Sequence, residues 1–368
     1  MTEPEPLQFI GDNEVRWRHT TLVHFSGCDY FRLARNARVA AAAIASLKAN
    51  GLNVAASRRT TGNHKIYTQL ERELAGFFGA GAVLVLPDGY LAPIAVAQAL
   101  AGEFTHVFID EFSHGALVDA ARMLDCPAEK FPHRDPAGLG KLVSKCGRSA
   151  RPMVLTDGMF SHDGSVAPLR VYLKILPPRG MILVDDAHGA GVLGKTGKGS
   201  LEHEGVNRKR IIQCATLSKA FGVYGGVVLA SRALRKKILV QSRSFIGTTP
   251  LPPPLAGAAL ASLKILRREP ARRTKLFQNL SYVRTKLHAA GWEITETPGP
   301  VIRLPRLSTR AVRELKQHLL AAGIYPPFLK YSGATAQGIF RFVISSEYTP
   351  AQLDQLIAVL AAFKAKRF

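Results

Sequence analysis

Short apolar runs recur along much of the chain, and stretches with helical character separate them. Polar residues, glycine or proline bound each run. Continuous apolar strands that alternate with helices are typical of a parallel sheet covered on both faces. We therefore predict an α/β domain with a mostly parallel sheet of six or seven strands flanked by helices. The runs are Ala82–Leu86, His106–Asp110, Pro152–Thr156, Met181–Asp185, Ile211–Leu217 and Gly226–Ala230.

The pattern changes after about Pro250. The proline-rich segment Thr248–Pro254 predicts a rigid connector, and beyond it we expect a smaller α+β domain that closes with a helix capped by Thr349. The domains are expected at residues 1–40 for a short N-terminal arm, 41–247 for the large α/β domain and 248–368 for the smaller C-terminal domain. The other predicted elements of the last part are a helical stretch from Leu255 to about Ala289, strands at Trp292–Thr295, Val301–Leu304 and Ile339–Ser345, and a helix around Thr309–Ala322.

The composition is that of a globular protein with a large positive charge. Of 368 residues, 47% are hydrophobic and 21% are charged. Lysine and arginine number 49 against 27 aspartates and glutamates, which gives a formal net charge of +22. Such a charge favours anionic partners, among them CoA, phosphorylated cofactors and acidic carrier proteins. No basic stripe with interleaved aromatic residues is present, so nucleic acid is not expected as a partner.

The cysteines are few and far apart, and no C-x-x-C pair exists. The sequence therefore indicates neither a zinc ribbon nor a redox motif, and no metal site is expected. Few cysteines in a long chain fit a reducing compartment. The acidic, polar start of the chain is unlike a signal peptide, and no apolar run reaches about 18 residues. We expect a cytoplasmic protein without a membrane span. The cysteines are Cys28, Cys126, Cys146 and Cys214.

The segment Gly189–Thr196 matches the phosphate-binding pattern G-x-x-x-x-G-K-[ST]. That pattern requires the loop to lead straight into a helix, whose first amides hold the phosphate. Here Gly197 and Gly199 follow, and two more glycines disfavour a helix. A basic glycine-rich loop after a strand is therefore favoured over a nucleotide site.

Two predicted strand ends carry residues suited to catalysis. The run Met181–Asp185 ends in a carboxylate with His188 three residues on, and Lys219 follows the run Ile211–Leu217 among Thr, Ser and Gly. Ligands of parallel sheets sit at the carboxyl ends of the strands. A carboxylate can face a cationic ring nitrogen, and a desolvated lysine can act as a nucleophile. Together with the hydroxyls, which suit a phosphate, these are the groups that pyridoxal phosphate requires.

Five strings of the sequence, taken in order, resemble one enzyme family. They are SRRTTGNHKIYTQLE, DEFSHGALVDA, FSHDG, VDDAHGAGVLG and ATLSKAFG. From about Phe25 to the C-terminus the chain is similar to the α-oxoamine synthases, which are fold type I pyridoxal-phosphate enzymes. This family includes 8-amino-7-oxononanoate synthase, glycine C-acetyltransferase, 5-aminolevulinate synthase and serine palmitoyltransferase. The resemblance implies a fold type I transferase in which residues 41–247 bind the cofactor.

The resemblance implies a role for each matching residue around pyridoxal phosphate. Lys219 would be the Schiff-base lysine and the base that moves the α-proton of the amino acid. Asp185 would pair with the pyridinium nitrogen, and His188 would hydrogen-bond the phenolic oxygen. His114 would stack on the pyridine ring, and Ser161 would lie near the phenolic oxygen.

The same resemblance implies how the cofactor phosphate is held. Gly89 and Tyr90 match the turn whose amides bind the phosphate at a helix start, and Thr216 would add a hydroxyl. Thr248 or Thr249 would reach the phosphate of the neighbouring subunit. This last assignment implies a homodimer with shared active sites.

On the substrate side, Arg341 matches the arginine that holds the α-carboxylate, for which its fork of donors is suited. Several substrate-facing positions depart from the family. Gly27–Arg32 stands for serine-asparagine-aspartate-tyrosine-leucine-glycine, so Cys28 replaces an asparagine that helps to hold the substrate. The other departures are Ala55-Ala56 for a glycine pair, Asp157 for a glutamate, and Phe328–Tyr331 for isoleucine-arginine-proline-proline.

The resemblance implies a decarboxylative condensation of a small α-amino acid with an acyl thioester, which gives an α-amino ketone. The charge of +22 fits an anionic donor, either an acyl-CoA or an acyl carrier protein. An alternative keeps the cofactor but runs other carbanion chemistry, as an aminotransferase, racemase or aldolase does, in an altered substrate pocket. A regulatory or scaffold role is disfavoured because Lys219, Asp185 and His188 are all present.

Overall fold

The structure, a computed structural model, describes residues 5–147, 149–330 and 338–365. The first residues of the expected N-terminal arm and Tyr331 of the departing segment lie outside them. The chain divides into two compact units, one of residues 36–160 and 165–270, the other of residues 1–35, 161–164 and 271–368. The domain limits expected at 40/41 and 247/248 stay predictions.

Helices and strands alternate through most of the described chain. In chain order they are β1 (Gln8–Phe9), β2 (Glu14–Trp17), β3 (Thr20–His24), α1 (Ala37–Asn50), α2 (Lys65–Phe78), β4 (Ala82–Leu86), α3 (Leu91–Ala99), β5 (His106–Asp110), α4 (Gly115–Met123), β6 (Ala128–Phe131), α5 (Pro136–Ser144), β7 (Pro152–Asp157), α6 (Leu169–Ile175), β8 (Met181–Asp185), α7 (Ser200–Glu204), β9 (Ile211–Thr216), β10 (Gly226–Ala230), α8 (Arg232–Gln241), α9 (Arg243–Ile246), α10 (Pro253–Arg268), α11 (Ala271–Ala289), β11 (Val301–Arg303), α12 (Thr309–Ala321), β12 (Ile324–Tyr325), β13 (Phe328–Leu329), β14 (Ile339–Val343) and α13 (Pro350–Ala365).

One seven-stranded sheet forms the centre of the larger unit, in the order β4-β10-β9-β8-β7-β5-β6. Every strand runs in the same direction except β10, which is antiparallel to β4 and β9. Strands β4, β7, β9 and β10 are buried at every position. Along β5, Val107 and Ile109 pack into one apolar cluster while Phe108 packs into another. Helices therefore cover both faces, which confirms the predicted α/β sheet.

The strand β6 was not predicted from the sequence. It is the edge strand of the sheet beside β5, and three of its four residues are exposed. Its residues Ala128, Glu129, Lys130 and Phe131 give neither an apolar run nor a strict alternation. The other edge strand, β4, is buried at every position and shows an apolar run, whereas β6 is mostly exposed and needs little apolar surface, so that pattern is missing.

Two small sheets, β1-β2-β3-β12 and β11-β14-β13, belong to the other unit together with its helices. The prediction for α13 is confirmed: Thr349 Oγ1 accepts a hydrogen bond from the Gln352 amide at 3.2 Å. The predicted strand at Trp292–Thr295 is wrong. Trp292 and Ile294 are buried while their neighbours are exposed, but no strand pairs with this segment in the described residues. The alternating pattern therefore arises because Trp292 and Ile294 pack into the core from a segment that is not a β-strand.

Within the residues that the structure describes, each helix is too short or too polar to cross a bilayer.

Candidate functional site

The turn that follows β4 lies against the end of β9. Asp88, Gly89 and Tyr90 form this turn, and α3 begins directly after it. A Cβ atom on Gly89 would lie 2.8 Å from the Thr216 hydroxyl oxygen, so only glycine fits here without displacing that side chain. The backbone of the turn thus packs closely on the Thr216 side chain, directly before the first amides of α3, and a helix start of this kind suits a phosphate.

Side chains around the turn fix its shape. Asp88 Oδ1 accepts a hydrogen bond from the Tyr90 amide at 2.6 Å, and Asp88 Oδ2 accepts one from the Tyr224 hydroxyl at 2.5 Å. Thr216 Oγ1 accepts from the Ser218 amide at 3.1 Å and lies 3.0 Å from the Ser218 hydroxyl. The turn and the Thr216 side chain are therefore both held in place by hydrogen bonds.

Two carboxylates meet at the neighbouring ends of β7 and β8. Asp157 and Asp185 are opposite each other in the parallel register, and both are buried. Asp185 Oδ1 accepts from the Ala187 amide at 3.0 Å, and Asp157 Oδ1 accepts from the His114 amide at 3.2 Å. Burial, followed by the Asp185 charge, raises the pKa of Asp157 well above its usual range. Asp157 therefore gives up its proton less readily than an ordinary aspartate does.

His114 begins α4, and its imidazole is exposed. Its Nδ1 accepts a hydrogen bond from the Ala116 amide at 3.2 Å, which leaves the proton of a neutral ring on Nε2. Tyr90 lies edge-on to the ring, with centroids 5.8 Å apart and planes at 73°. The imidazole is held by its helix cap and by Tyr90, and it is suited to stacking on a flat ring.

Lys219 and His188 belong to the loops that follow β9 and β8. Lys219 is half-buried, and its carbonyl accepts from the Gly222 amide at 2.9 Å. Burial and the Asp185 charge raise the pKa of Asp157, and the smaller effect of the positively charged Lys219 ammonium group acts to lower it. Lys219 therefore lies within electrostatic reach of the carboxylate pair. His188 is buried near the start of its loop.

The two threonines expected to serve a neighbouring subunit follow α9. Thr248 is half-buried, and its hydroxyl donates to the Ser244 carbonyl at 2.6 Å. Thr249 is exposed. Thr249 is thus the better placed of the two to reach another chain, and its role there stays a prediction.

The residues expected to bind the substrate come together within the other unit. Arg341 lies on β14 and is buried. Its Nε donates to the Ser161 carbonyl at 2.5 Å, and its Nη2 lies 3.5 Å from Cys28 Sγ. Three segments that are distant in sequence therefore converge on one guanidinium, including the cysteine that replaces the family asparagine. The segment Phe328–Lys330 runs beside β14 through the pairing of β13.

The glycine-rich loop that matches the nucleotide pattern has its own carboxylate. Glu202 Oε2 accepts from the amides of Thr196 and Lys198 at 3.0 and 3.1 Å, and Glu202 Oε1 accepts from the Thr196 hydroxyl at 2.7 Å. A Cβ on Gly194 would also collide with Glu202. The amides that a phosphate would need are therefore already paired within the loop.

Sequence reasoning missed two features of this site. The Ser218 hydroxyl stands beside Thr216, and its position next to Lys219 was the available signal. Asp157 was noted as a departure from the family, but its position beside Asp185 was not predicted; the parallel register of β7 and β8 places the two residues opposite each other. The groups of the larger unit fit pyridoxal phosphate: a glycine turn at a helix start for the phosphate, a buried carboxylate, an exposed imidazole and a lysine amine.

Comparison with known proteins gives a consistent result. The family model of the class I and II aminotransferases matches residues 22–360. The 8-amino-7-oxononanoate synthase of Thioalkalivibrio sulfidiphilus is 34% identical over 92% of this chain and 87% of its own length. A solved serine palmitoyltransferase with its pyridoxal-phosphate internal aldimine superimposes with a TM-score of 0.92 at 25% identity, over 99% of this chain and 94% of that one. The solved 8-amino-7-oxononanoate synthase of Francisella tularensis gives 0.81 at 25% identity, over 94% of this chain and 99% of its own. The chain belongs to the class I and II aminotransferase family and, within it, to the α-oxoamine synthases.

Proposed function

We propose that this chain catalyses a pyridoxal-phosphate-dependent condensation of a small α-amino acid with an acyl thioester, with loss of carbon dioxide. The observation that carries the proposal is the convergence at one edge of the sheet. There the Gly89 turn that packs on Thr216, the Asp185 carboxylate and the Lys219 amine follow β4, β8 and β9. Relatives named 8-amino-7-oxononanoate synthase and serine palmitoyltransferase support the same reaction class.

Each of these groups has a defined task in this reaction. Pyridoxal phosphate, when bound, withdraws electrons from the α-carbon of the amino acid and so stabilises negative charge there. Lys219 would hold the cofactor through Nζ and, once displaced by the amino acid, take the α-proton. The α-carbon then attacks the thioester carbonyl, the C–S bond breaks and the thiol leaves. Loss of the carboxylate as carbon dioxide, with the return of a proton from Lys219 to the α-carbon, would leave an α-amino ketone.

The carboxylate pair keeps the negative charge where the ring nitrogen needs it. Because burial and the Asp185 charge raise the pKa of Asp157, Asp157 gives up its proton less readily than an ordinary aspartate does. Asp157 also accepts from the His114 amide, so it helps to hold the imidazole expected to stack on the ring. Asp185 would then hold the proton of the pyridine nitrogen as an ion pair.

Arg341 is proposed to orient the substrate α-carboxylate. Its guanidinium is buried, and its Nε is held by the Ser161 carbonyl. A guanidinium fixed in this way keeps its direction when a carboxylate arrives. Cys28 at 3.5 Å from Nη2 would lie next to that carboxylate and shape the space beside it.

The test begins with the visible spectrum of the purified protein loaded with pyridoxal phosphate. A band at about 410–430 nm that is absent in Lys219→Ala is expected, because that absorption belongs to the lysine-bound cofactor. Glycine, alanine and serine are then added in turn, followed by an acyl-CoA or an acyl carrier protein, and the released thiol is measured.

Thiol release that depends on one amino acid and one thioester supports the proposal. Turnover with an oxo acid or aldehyde, and none with thioesters, would favour the aminotransferase or aldolase-like alternative. For Arg341, we expect Arg341→Ala to raise the KM for the amino acid while Arg341→Lys loses less. An unchanged KM in Arg341→Ala would contradict the carboxylate role.

We also propose that the enzyme works as a homodimer with shared sites. The surface of α1 and the loop after it exposes apolar side chains, with Ile44 54% and Leu52 71% accessible. A second copy would cover them. In the dimer, Thr249 would reach the cofactor phosphate of the partner. Light scattering of the wild type and of Ile44→Glu tests the dimer. A mixture of Lys219→Ala and Thr249→Ala chains that regains activity supports sharing, and a monomeric active enzyme would refute it.

A further inference from the structure

Asp186 directly follows β8, and its carboxyl group lies on the face of the sheet opposite to Asp185, because it contacts the Gln213 side chain whereas Asp185 pairs with Cys214, the next residue of β9. Adjacent residues of a strand point to opposite faces of the sheet. Asp186 is completely buried, and neither the resemblance nor the proposed reaction gives it a task. Its backbone amide donates to the Cys214 carbonyl at 2.8 Å, so it still belongs to the pairing of β8 with β9. Its side chain must therefore be explained by what surrounds it.

Both ends of the loop that contains His188 are tied to Asp186. The Ala190 amide donates to the Asp186 carbonyl at 2.8 Å, which turns the loop back at its start. The Ser200 amide donates to Asp186 Oδ2 at 2.8 Å, at the point where the loop enters α7. The loop from residue 187 to residue 199 thus begins and ends on one residue.

Three glycines surround the Asp186 carboxyl group. A Cβ on Gly158 would lie 2.4 Å from Asp186 Oδ1, one on Gly189 would lie 2.1 Å from Oδ1, and one on Gly199 would lie 1.9 Å from Oδ2. Gly158 directly follows Asp157, and Gly189 directly follows His188. The backbone next to each of these two side chains therefore packs on the carboxyl group.

A neighbouring amide fixes which oxygen of Asp186 accepts. Arg208 Nη1 donates to Gln213 Oε1, and a guanidinium can only donate, so Gln213 turns its Nε2 toward Asp186 Oδ2. Gln213 Nε2 also donates to the Lys198 carbonyl at 3.1 Å. Two donors, from Gln213 and Ser200, therefore converge on Oδ2. Oδ1 is buried without a partner among the described residues.

We propose that Asp186 is a positioning residue for the cofactor site: from the opposite side of the sheet it anchors the loop that holds His188 and the strand ends that hold Asp157 and Asp185. This role rests on the proposed function of those residues. The group acts through backbone packing and hydrogen bonds, not through contact with substrate or cofactor. Its isostere asparagine, which offers one oxygen to both donors, should largely replace it.

The test measures hydrogen exchange of the loop peptides in the cofactor-free protein and the Kd for pyridoxal phosphate. We expect Asp186→Ala to lose protection across residues 187–199 and to raise the Kd about tenfold or more, and Asp186→Asn to stay within about threefold of wild type. Where Asp186→Ala does not fold, Asp186→Glu replaces it: one more methylene in a space bounded by glycines should weaken binding similarly.

The matched control is Glu202→Ala, which removes the other carboxylate that receives loop amides. Glu202 binds Thr196 and Lys198 and does not reach the backbone beside His188. We expect faster exchange near residue 196 and an unchanged Kd. The proposed role of Asp186 is overturned if the Kd does not change in Asp186→Ala or Asp186→Glu, or if it rises equally in Glu202→Ala. Either result leaves the proposed function of the enzyme standing. A wild-type protein that does not bind pyridoxal phosphate overturns the proposed function together with it.

Discussion

Glu71 on α2 is expected to contribute more to stability than any neighbouring acidic side chain. Its Oε1 accepts from the Val85 amide at 3.0 Å and from Arg58, and its Oε2 accepts from Arg235 Nη2 at 3.0 Å. Arg235 Nε also donates to the Val83 carbonyl at 3.1 Å. Because β4 is an edge strand, the Val85 amide and the Val83 carbonyl have no neighbouring strand to bind. The side chains of Glu71 and Arg235 provide their hydrogen-bond partners instead.

The cost of Glu71→Ala follows from burial. The side chains of Arg58 and Glu71 are only 4% and 7% exposed, so the substitution leaves a buried guanidinium without a counter-charge. Breaking a buried ion pair from one side costs about 3–5 kcal/mol, and the Val85 amide, left without an acceptor, adds about 1–3 kcal/mol. Arg235 is one-third exposed and regains water. We expect the free energy of unfolding to fall by about 4–8 kcal/mol.

Urea unfolding followed by circular dichroism measures this loss, with Glu73→Ala as the control. Glu73 lies on the same helix and pairs with Arg267 Nη1 at 2.8 Å, but both side chains are more than one-third exposed. Such a pair is worth about 0–1 kcal/mol. The double variant Arg58→Met/Glu71→Leu should recover most of the loss, since apolar replacement of both partners is close to neutral. A Glu71→Ala protein within about 1 kcal/mol of Glu73→Ala would refute the reasoning.

Three further substitutions, and a control for one of them, test other parts of the molecule. Gly89→Ala should raise the Kd for pyridoxal phosphate about tenfold or more, because its Cβ would lie 2.8 Å from Thr216. An unchanged Kd would contradict a phosphate site at this turn. Ala55→Gly should raise the urea midpoint, because it relieves about 1 kcal/mol of backbone strain at φ +48°. Ala56→Gly is the control and should lower the midpoint, because φ of Ala56 is not positive. The reverse order of the two midpoints would contradict the strain at Ala55. Burial, followed by the charge of a nearby arginine, lowers the pKa of His24 to about 4, so its stabilising contribution is present above about pH 6.5 and is lost as the pH falls toward 4. Between pH 6.5 and 4, the free energy of unfolding should fall by about 3 kcal/mol less in His24→Gln than in the wild type. An equal fall in both proteins would show that His24 is not the source of this pH dependence.

The sequence predicted the central strands because each is covered on both faces and so must be apolar throughout. The same reasoning could not find β6, which needs little apolar surface, and it read the buried Trp292 and Ile294 as a strand. Cofactor residues at strand ends were accessible to prediction, since the ends of parallel strands meet at one edge. The pairing of Asp157 with Asp185 was not, because the register of two strands depends on contacts that are distant in sequence.

The convergence of Cys28, Ser161 and Arg341 shows what a family resemblance adds to patterning. These residues lie on three segments without a shared periodicity, so no local pattern could have joined them. The resemblance named them one by one, and the structure places them around one guanidinium. The replacement of the family asparagine by Cys28 is therefore a change within a cluster and not at an isolated position. Under the proposed role of Arg341, this replacement alters the space beside the substrate carboxylate.

Two positions where the family has glycine show why a substitution cannot be judged from sequence alone. Arg32 and Ala55 both keep the left-handed backbone that glycine favours, with φ of +50° and +48°. That conformation costs a side chain about 1–2 kcal/mol at each position. Arg32 is buried and offsets this cost, since Nε donates to Asn13 Oδ1 at 2.9 Å and Nη2 donates to the Tyr348 hydroxyl at 2.8 Å. A buried hydrogen bond to a charged group contributes about 1.5–3 kcal/mol, so the arginine is fixed by its partners. Ala55 is exposed and its methyl group can make no such bond. The first substitution has become part of the fold, whereas the second leaves strain in the loop that the family places near its substrate.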